Sequence, residues 1–264
     1  MKGEFLDVAG ARVYCFAAGR RGRGDPMVFL HGFPTSSRIW QPVLGRLPEG
    51  HRLLCLDLLG FGRSDPVGGH DVSVAGHATR LGLVLDQLGV TRAALVAHDL
   101  GALVALRTAA AQPERFTQLV LVSPPASPTR ALKLGVAARR APASLRRFAL
   151  RRALRRGWTH EPAAGRRAEV AAWLRPLDDA SIERHLREIA SSGSDPLLLG
   201  DGRVTSRIAV IGGARDPWNP PGEVRRFAEM CGASSVHILD NAGHFVTDDA
   251  PQAFADVVHS QFDE

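Results

Sequence analysis

Short, fully apolar runs alternate with segments of helical periodicity along most of this chain. The predicted strands are Met27–Leu30, Arg52–Leu58, Ala93–Ala97, Leu119–Val122, Ile208–Ile211 and Val236–Leu239. The predicted helices are Gly82–Leu88, Leu100–Ala111, Glu223–Met230 and a last helix that begins near Pro251. Strands that are apolar on both faces are typical of parallel sheets covered by helices on both sides. We therefore predict an α/β fold with a mostly parallel central sheet flanked by helices.

The alternation of strands and helices stops between Ser123 and Arg203. This stretch has helical spacing only, and three prolines stand at its entry: Pro124, Pro125 and Pro128. We predict a core formed by residues 1–123 and 203–264, with a helical cap of residues 124–202 inserted after a strand. The chain length of 264 residues fits one domain that carries such an insertion.

The positive charge of the chain is concentrated in the predicted cap. The formal net charge is +6, and residues 130–156 contain ten Lys or Arg and no Asp or Glu. Helical spacing there predicts a helix with an arginine-rich face and an apolar face, the latter formed by Leu145, Phe148, Ala149, Ala153 and Leu154. We interpret the arginine-rich face as solvated, with binding of an anionic substrate, a membrane or nucleic acid as alternatives. Because aromatic residues are sparse there and no nucleic-acid motif is present, we predict neither a nucleic-acid partner nor a membrane partner.

The remaining composition excludes several classes of protein. Apolar residues make up 45% and charged residues 23%, which is typical of a globular protein and not of a disordered or fibrous one. No apolar run reaches the roughly 18 residues of a spanning helix, and no signal region is visible. The cysteines, Cys15, Cys55 and Cys231, are too few and scattered for a disulfide framework or a metal site. We expect a cytoplasmic monomer or homodimer that needs no cofactor or metal and acts on a small molecule.

The segment Leu95–Ala102 carries the first candidate for chemistry. It reads LVAHDLGA and places Asp99 between a predicted strand and a predicted helix, with Ala97 and Gly101 two positions to either side. A nucleophile elbow occurs at such a strand-to-helix turn, and its neighbours are small because the turn is sharp. The alternative interpretation is that Asp99 caps the following helix.

Two further segments place titratable groups at the ends of late strands. Asp216 follows Ile208–Ile211, and His244 follows Val236–Leu239. Sites in open α/β sheets form at the carboxyl ends of the strands. The chain order of nucleophile, acid and histidine is the one expected for this type of triad. We therefore predict a triad of Asp99, Asp216 and His244.

An oxyanion hole is expected beside this triad. In such an architecture one backbone N–H comes from the residue after the nucleophile, and the other comes from an early strand–helix loop. Leu100 is the residue after Asp99. The segment His31-Gly32-Phe33-Pro34 directly follows Met27–Leu30, so Phe33 is the second expected donor.

The loop Asp57–Asp65 reads DLLGFGRSD and is similar to the D-x-x-G-x-G-x-S-D loop of α/β hydrolases. With the strand-end motifs above, the whole chain resembles α/β hydrolases that carry a cap, although more weakly in the cap itself. An aspartate at the nucleophile position resembles the branch formed by epoxide hydrolases, haloalkane dehalogenases and haloacetate dehalogenases. The resemblance implies an α/β-hydrolase fold and a triad of Asp99, Asp216 and His244.

An aspartate nucleophile also narrows the reaction on chemical grounds. A carboxylate that attacks an ester carbonyl would give a high-energy anhydride, whereas attack on an sp³ carbon gives a stable alkyl ester. The expected substrates are epoxides, alkyl halides or other carbons that bear a leaving group. His244 would then activate a water molecule against the Asp99 ester.

The chain departs from its relatives where the leaving group would bind. Tyr14 is the only tyrosine, so the two cap tyrosines that the resemblance implies for epoxide opening are absent. Leu100 stands where haloalkane dehalogenases have Trp and haloacetate dehalogenases have Arg, and Phe33 stands where the former frequently have Asn. The remaining candidates for binding or protonating a leaving group are His31, His98, Trp158, His160, Trp173 and His185.

We favour a hydrolase that opens an epoxide on a bulky or anionic substrate, because the His-Gly-Phe-Pro and His-Asp-x-Gly segments are most similar to those of epoxide hydrolases. One alternative is a dehalogenase with a halide site built from Trp158, Trp173 or Trp40. Another is a biosynthetic enzyme that opens an epoxide without adding water. A binding protein on the same fold is the last alternative, and the intact triad argues against it.

Overall fold

The protein is built around one twisted sheet. Its strands are β1 Gly3–Val8, β2 Ala11–Ala18, β3 Met27–Leu30, β4 Leu53–Leu56, β5 Ala93–His98, β6 Phe116–Val122, β7 Arg207–Gly213 and β8 Ser235–Leu239. The spatial order is β1-β2-β4-β3-β5-β6-β7-β8, with β1 and β2 antiparallel and the six others parallel. The computed structural model describes residues 3–19, 24–125, 142–159, 164–192 and 204–262. The predicted α/β fold with a mostly parallel sheet is confirmed.

All six predicted strands are present, and their ends differ from the predicted ends by three residues or fewer. The strands β3 to β6 are almost entirely buried because helices cover both faces of the sheet. The hairpin of β1 and β2 lies outside the predicted strands. In β1 only Leu6 and Val8 are buried, since this strand forms the edge of the sheet and carries mostly exposed side chains.

The helices are α1 Val74–Gln87, α2 Leu100–Ala111, α3 Ala143–Arg155, α4 Ala164–Leu174, α5 Asp179–Ser192, α6 Pro221–Cys231, α7 Val246–Asp249 and α8 Pro251–Phe262. Short 3₁₀ helices span Ser37–Trp40, Leu44–Arg46 and Pro113–Arg115. Helix α1 begins eight residues before the predicted Gly82, because Ser73 caps it by accepting the Gly76 N–H at 2.9 Å.

Helices α3, α4 and α5 lie between β6 and β7 in the chain, within the predicted cap. The described part of residues 124–202 contains helices and no strand. The predicted cap boundaries at residues 123/124 and 202/203 stay predictions, because residues 126–141 and 193–203 lie outside the described residues.

The predicted apolar face of α3 is confirmed at Leu154, which is buried, and is wrong at Leu145 and Phe148, which are 54% and 65% exposed. Leu150, which the predicted face did not include, is buried instead. On this helix Arg147 donates hydrogen bonds to the carbonyl oxygens of Leu174 and Leu177, so that side of α3 is linked to the end of α4 and the chain after it. The exposed arginines of α3 lie on the solvated side, in line with their interpretation; they are Arg151, Arg152 and Arg155.

The cysteines are free thiols, as predicted. Burial raises the pKa of Cys15 to about 12 and the pKa of the half-buried Cys231 to about 11. Both side chains therefore stay protonated at neutral pH. Among the described helices, none is both long and apolar enough to cross a membrane.

Candidate active site

Asp99 occupies a strained turn between β5 and α2. Its backbone has φ 49° and ψ −119°, a left-handed conformation that costs a non-glycine residue energy. The neighbouring backbone approaches closely: a Cβ on Gly32 would lie 2.4 Å from Asp99 Cβ, and a Cβ on Gly101 would lie 2.6 Å from the His31 carbonyl oxygen. The turn therefore requires the small residues that the sequence places around Asp99. The Asp99 side chain makes no capping hydrogen bond to α2, which argues against the alternative interpretation as a helix cap.

The two predicted oxyanion donors point at the Asp99 carboxylate. The Phe33 N–H donates to Asp99 Oδ2 at 2.9 Å, and the Leu100 N–H also stabilises the ionised side chain. Asp99 and Phe33 are buried, so these hydrogen bonds act away from bulk water. The site is thus preorganised for negative charge on the oxygen atoms of this one carboxyl group.

His244 and Asp216 complete the predicted constellation. The Nδ1 atom of His244 lies 2.9 Å from Asp216 Oδ2, and both side chains are buried. The other carboxylate oxygen, Oδ1, accepts the backbone N–H groups of Trp218 at 2.8 Å and Asn219 at 3.0 Å. Asp216 therefore orients the imidazole with Nδ1 as donor, which leaves Nε2 able to accept a proton.

Burial and neighbouring charges shift the pKa values of Asp99 and His244. Burial raises the pKa of Asp99, and the opposing effects of His244 and of the Leu100 and Phe33 N–H groups do not cancel that rise. Burial alone would lower the pKa of His244, but the carboxylates of Asp216 and Asp99 raise it above its ordinary value. The charge of Asp99 thus favours the imidazolium, and loss of that charge would lower the pKa of His244.

Two of the candidate leaving-group residues have structural roles instead. His31 Nδ1 lies 2.8 Å from the Gly32 carbonyl oxygen, while Nε2 accepts the Leu58 N–H at 3.0 Å. His98 Nε2 donates to the carbonyl oxygen of His244 at 3.1 Å, and its ring packs edge-on against the His244 ring at 4.7 Å. Burial lowers the pKa of His31 and His98, so both are neutral. The prediction that these two histidines serve a leaving group is therefore corrected: they position backbone around the site.

The cap tryptophans differ in whether their indole N–H is engaged. Trp158 donates from Nε1 to Asp248 Oδ2 at 3.0 Å. Trp173 is stacked on Trp158 at 5.8 Å and is 2% exposed, yet its Nε1 has no hydrogen-bond partner in the described part of the chain. Both rings pack on Phe245, the neighbour of His244. The Trp173 indole N–H therefore remains a candidate donor to a leaving group, whereas the Trp158 indole N–H is already used in the hydrogen bond to Asp248.

The other candidates divide as follows. His160 lies outside the described residues. Trp40 is fully buried between Phe29 and Phe254, and its Nε1 also has no hydrogen-bond partner in the described part of the chain. Trp173 differs from it by packing on Phe245, the neighbour of His244. His185 packs on Phe61 at 4.4 Å, and burial lowers its pKa to about 4. Since its Nδ1–H donates to the Ser181 carbonyl oxygen at 2.8 Å, the neutral ring carries no proton on Nε2.

A family model described as the alpha/beta hydrolase family matches residues 27–257 of this chain. The chain belongs to the α/β hydrolase family. It is 30% identical to a haloalkane dehalogenase of Mycolicibacterium paratuberculosis, over 90% of this chain and 83% of that protein. It is 32% identical to Epoxide hydrolase 4 of Homo sapiens, over 44% of this chain and 32% of that protein. A solved α/β hydrolase fold protein from Burkholderia ambifaria is similar in structure, with a TM-score of 0.76, 26% identity, and coverage of 98% of this chain and 100% of that chain.

The chain segment that follows α3 is hydrogen-bonded directly to the loop that carries His244. We call residues 157–159, which follow α3, the cap strap. The Gly157 carbonyl oxygen accepts the backbone N–H groups of His244 at 2.7 Å and Phe245 at 3.3 Å. The Thr159 N–H donates to Asp249 Oδ2 at 3.1 Å, and that same oxygen accepts the Gly243 N–H at 2.8 Å. The cap strap thus holds the backbone of the His244 loop in position.

Sequence patterns missed the cap strap and one further support of His244. The only signal for the strap is a pair of glycines: a Cβ on Gly157 would lie 2.6 Å from the Phe245 ring, and a Cβ on Gly243 would lie 2.3 Å from the Gly157 oxygen. Ser123 follows β6, and its hydroxyl donates to the His244 carbonyl oxygen at 3.1 Å. Its position at a strand end is the signal that could have identified it.

No group of three or more His, Cys, Asp or Glu side chains in the described part of the chain is arranged to hold a metal ion.

Proposed function

We propose that this α/β hydrolase displaces a leaving group from an sp³ carbon through a covalent ester on Asp99, and then hydrolyses that ester. The observation that carries the proposal is the convergence of the Phe33 and Leu100 N–H groups, and of His244 paired with Asp216, on one buried carboxylate. An anionic oxygen of Asp99 is the nucleophile, and the strained elbow presents it without a competing capping hydrogen bond.

In the first step one Asp99 oxygen forms a bond to the substrate carbon, and the bond between that carbon and the leaving group breaks. The leaving group takes the electron pair of the broken bond. The negative charge of Asp99 is lost in this step. Because that charge helps to raise the pKa of His244, ester formation lowers the pKa of the imidazole at the stage when a neutral base is needed.

In the second step water attacks the carbonyl carbon of the Asp99 ester, and His244 Nε2 takes a proton from the water. The resulting oxyanion is stabilised by the Phe33 and Leu100 N–H groups, which already bind the carboxylate oxygens. The intermediate collapses by cleavage of the ester bond, and the proton on His244 passes to the departing alcohol oxygen. Asp99 regains its negative charge, the second proton of the water goes to solvent, and one Asp99 oxygen is now derived from water.

A halide is the leaving group that we favour. A halide departs as an anion, so it requires N–H donors and no proton. The buried indole N–H of Trp173 supplies such a donor in the described cap, since it has no other partner there. The 30% identity over most of the chain with a protein named haloalkane dehalogenase supports the same choice.

Hydrolytic opening of an epoxide is the second candidate. The match to the protein named Epoxide hydrolase 4 supports it, as does Phe33 within the His-Gly-Phe-Pro segment. Opening of the ring gives an alkoxide, which must take a proton. Among the described cap candidates, neither the Trp173 indole nor the unprotonated His185 Nε2 supplies one, so the acid would be water or His160, which lies outside the described residues.

The test is a matched panel of terminal bromoalkanes and terminal epoxides of equal chain length, with bromide, alcohol and diol measured in ¹⁸O-water. We expect bromide and alcohol in equal amounts, faster than any diol. Diol without bromide would make epoxide opening the function. A ring-opened product that contains no oxygen from water would overturn hydrolysis, and saturable binding without turnover would support a binding protein.

A further inference from the structure

A second cleft lies beside the candidate active site, between the sheet and helix α4. It encloses about 570 Å³, which is within the usual range of small-molecule sites. The described residues that line it are Tyr14, Phe16, Ser36, Ser37, Arg38, Gln41, Asp57, Gly62, Arg63, Ala168, Glu169, Ala172 and Trp173. None of the triad residues is among them.

Two guanidinium groups border this cleft. Arg63 is held in place, because its Nη1 donates to the Tyr14 hydroxyl oxygen at 3.0 Å and its guanidinium carbon lies 4.4 Å from the centre of the Tyr14 ring. Arg38 is exposed on the Ser37–Trp40 3₁₀ helix, and within the described part of the chain its side chain has no hydrogen bond or ion pair. The cleft therefore offers several N–H donors that are not used by the protein.

The carboxylates at the cleft are already engaged. Asp57 Oδ1 accepts the Ser37 N–H at 2.7 Å, and Oδ2 accepts the Arg63 backbone N–H at 2.8 Å. Glu169 has an interaction of its own. Since these two carboxylates offset the two arginines in formal charge, an anion would be held here by directional N–H donors and not by a net positive charge, which favours a monoanion over a dianion such as a phosphate ester. A planar carboxylate also matches the guanidinium fork.

Part of the wall is apolar, and one of its residues also packs in the cluster of rings beside His244. Tyr14, Phe16, Ala172 and Trp173 form an apolar strip. Trp173 belongs both to this wall and to the cluster around Phe245, whose ring lies 5.3 Å from the His244 ring. Trp173 therefore joins the wall of the cleft to the rings that pack against His244, and a molecule that reaches from the cleft to His244 would pass along this residue.

We propose that this cleft binds the carboxylate of an elongated, amphipathic substrate, with Arg38 and Arg63 as its anion donors. The reactive carbon lies at the other end of the substrate, near Asp99. The substrate class is thus an aliphatic carboxylic acid with a distant carbon that bears the leaving group. The assignment of the reacting end rests on the proposed function, whereas binding of the carboxylate does not.

The experiment compares ω-bromo and ω-epoxy carboxylic acids of increasing chain length with their methyl esters, for wild type, Arg38→Gln, Arg63→Gln and Arg92→Gln. Arg92 is the matched control, because it loses the same charge at an exposed ion pair with Asp25, before β5 and at the opposite end of the sheet from the catalytic residues. We expect wild type to prefer the acids at one chain length. Arg38→Gln and Arg63→Gln should lower kcat/KM for these acids by about 10- to 100-fold, mainly through KM, and leave the esters unchanged.

A binding measurement separates this inference from the proposed reaction. Quenching of tryptophan fluorescence by unreactive long-chain carboxylates is measured in the Asp99→Ala background, with and without Arg38→Gln. Binding that depends on Arg38 supports the cleft even if no bromide or epoxide substrate is turned over. Turnover of neutral substrates with no preference for acids, or acid binding that Arg38→Gln, Arg63→Gln and Arg92→Gln leave alike, would overturn the cleft and spare the proposed reaction.

Discussion

The strand ends of the sheet and the helices of the cap contribute to one site in different ways. Asp99, Asp216 and His244 each lie at or soon after the end of a parallel strand, so the backbone of the sheet determines where these groups meet. In the cap, Trp158 and Trp173 are stacked almost in parallel, yet the first donates to Asp248 and the second has no described partner. The position of a residue in the chain therefore predicts its role at the strand ends, where the backbone determines the geometry. It does not predict the role in the cap helices, where helix rotation and side-chain packing determine the geometry.

The largest effect is expected at the strand end that carries the nucleophile. Asp99→Ala removes the attacking carboxylate, so kcat should fall by about 10⁵-fold or more. Asp256→Ala, which removes an exposed carboxylate from α8, is the matched control and should keep full activity. Steady-state rates on the favoured substrate check both variants. Activity of Asp99→Ala near that of wild type would show that another residue is the nucleophile.

The next largest effect concerns the pH dependence of the histidine. His244 accepts a proton from water only when neutral, so activity falls as the pH drops through its pKa. Asp216 raises that pKa, and Asp216→Asn should therefore move the acidic limb of the kcat profile to lower pH. The same change should lower kcat by about 10⁴-fold, because the imidazole loses its orientation. An acidic limb that stays in place would show that His244 does not control it.

The cap strap is the point where the two regions meet. In Gly157→Ala the new methyl group would press on Phe245 and displace the His244 loop, and a misplacement of about 1 Å costs about 10²-fold in rate. We expect this loss in kcat with little change in KM. Gly69→Ala is the control, because a Cβ there meets nothing within 4 Å. Equal kcat in the two variants would show that the cap strap does not position His244.

A smaller effect separates the two tryptophans. Trp173→Phe removes an N–H that we assign to the leaving group, so kcat/KM for bromoalkanes should fall by about tenfold. Trp158→Phe removes the hydrogen bond to Asp248, which should lower the free energy of unfolding by about 1 kcal/mol and have less effect on the leaving-group step. Rates with chloro-, bromo- and iodoalkanes, together with urea unfolding, distinguish the roles. A larger loss of leaving-group selectivity in Trp158→Phe would reverse the assignment.

The smallest effect is expected on the exposed side of α3. The double variant Arg151→Gln, Arg152→Gln should change kcat/KM for acids and for esters by less than twofold, since both side chains face solvent and exposed charges interact weakly. Stability should change by less than about 0.5 kcal/mol. A fall in kcat/KM for the acids alone would show that the arginine-rich face of α3, and not the cleft, binds the substrate carboxylate.

The sequence was sufficient for the six parallel strands and for the placement of Asp99, Asp216 and His244 at strand ends, because both follow from local patterns; the edge hairpin of β1 and β2 was missed. Buried apolar runs located the strands, and the small residues around Asp99 marked the elbow. The order of Asp216 and His244 after late strands then supplied the other members. The roles of His31 and His98 were not predictable in this way, since each is decided by backbone carbonyl and N–H groups that other strands and loops bring near.

The cap shows the limit of the periodic pattern. Leu145, Phe148 and Leu154 have the spacing of an apolar face, but only Leu154 is buried, together with Leu150. Arg147, on the predicted arginine-rich face, is instead hydrogen-bonded to the end of α4. Arg38 lies on the Ser37–Trp40 3₁₀ helix and Arg63 in a turn after β4, and only folding brings them to one cleft. A pattern within one helix or strand contains no information on contacts with other elements. The sequence therefore indicated the arginine run of α3 as a candidate anion site and did not indicate Arg38 and Arg63.

The central claim is that Asp99 forms an ester with the substrate, and the most direct test is the intact mass of His244→Gln protein after exposure to a bromoalkane. Without the base the ester should persist, so the mass should increase by the alkyl group without bromine. An epoxide would instead add its whole mass. The double variant Asp99→Ala, His244→Gln should gain nothing. An adduct that persists in the double variant, or no adduct in His244→Gln while wild type turns over the same substrate, would contradict the account.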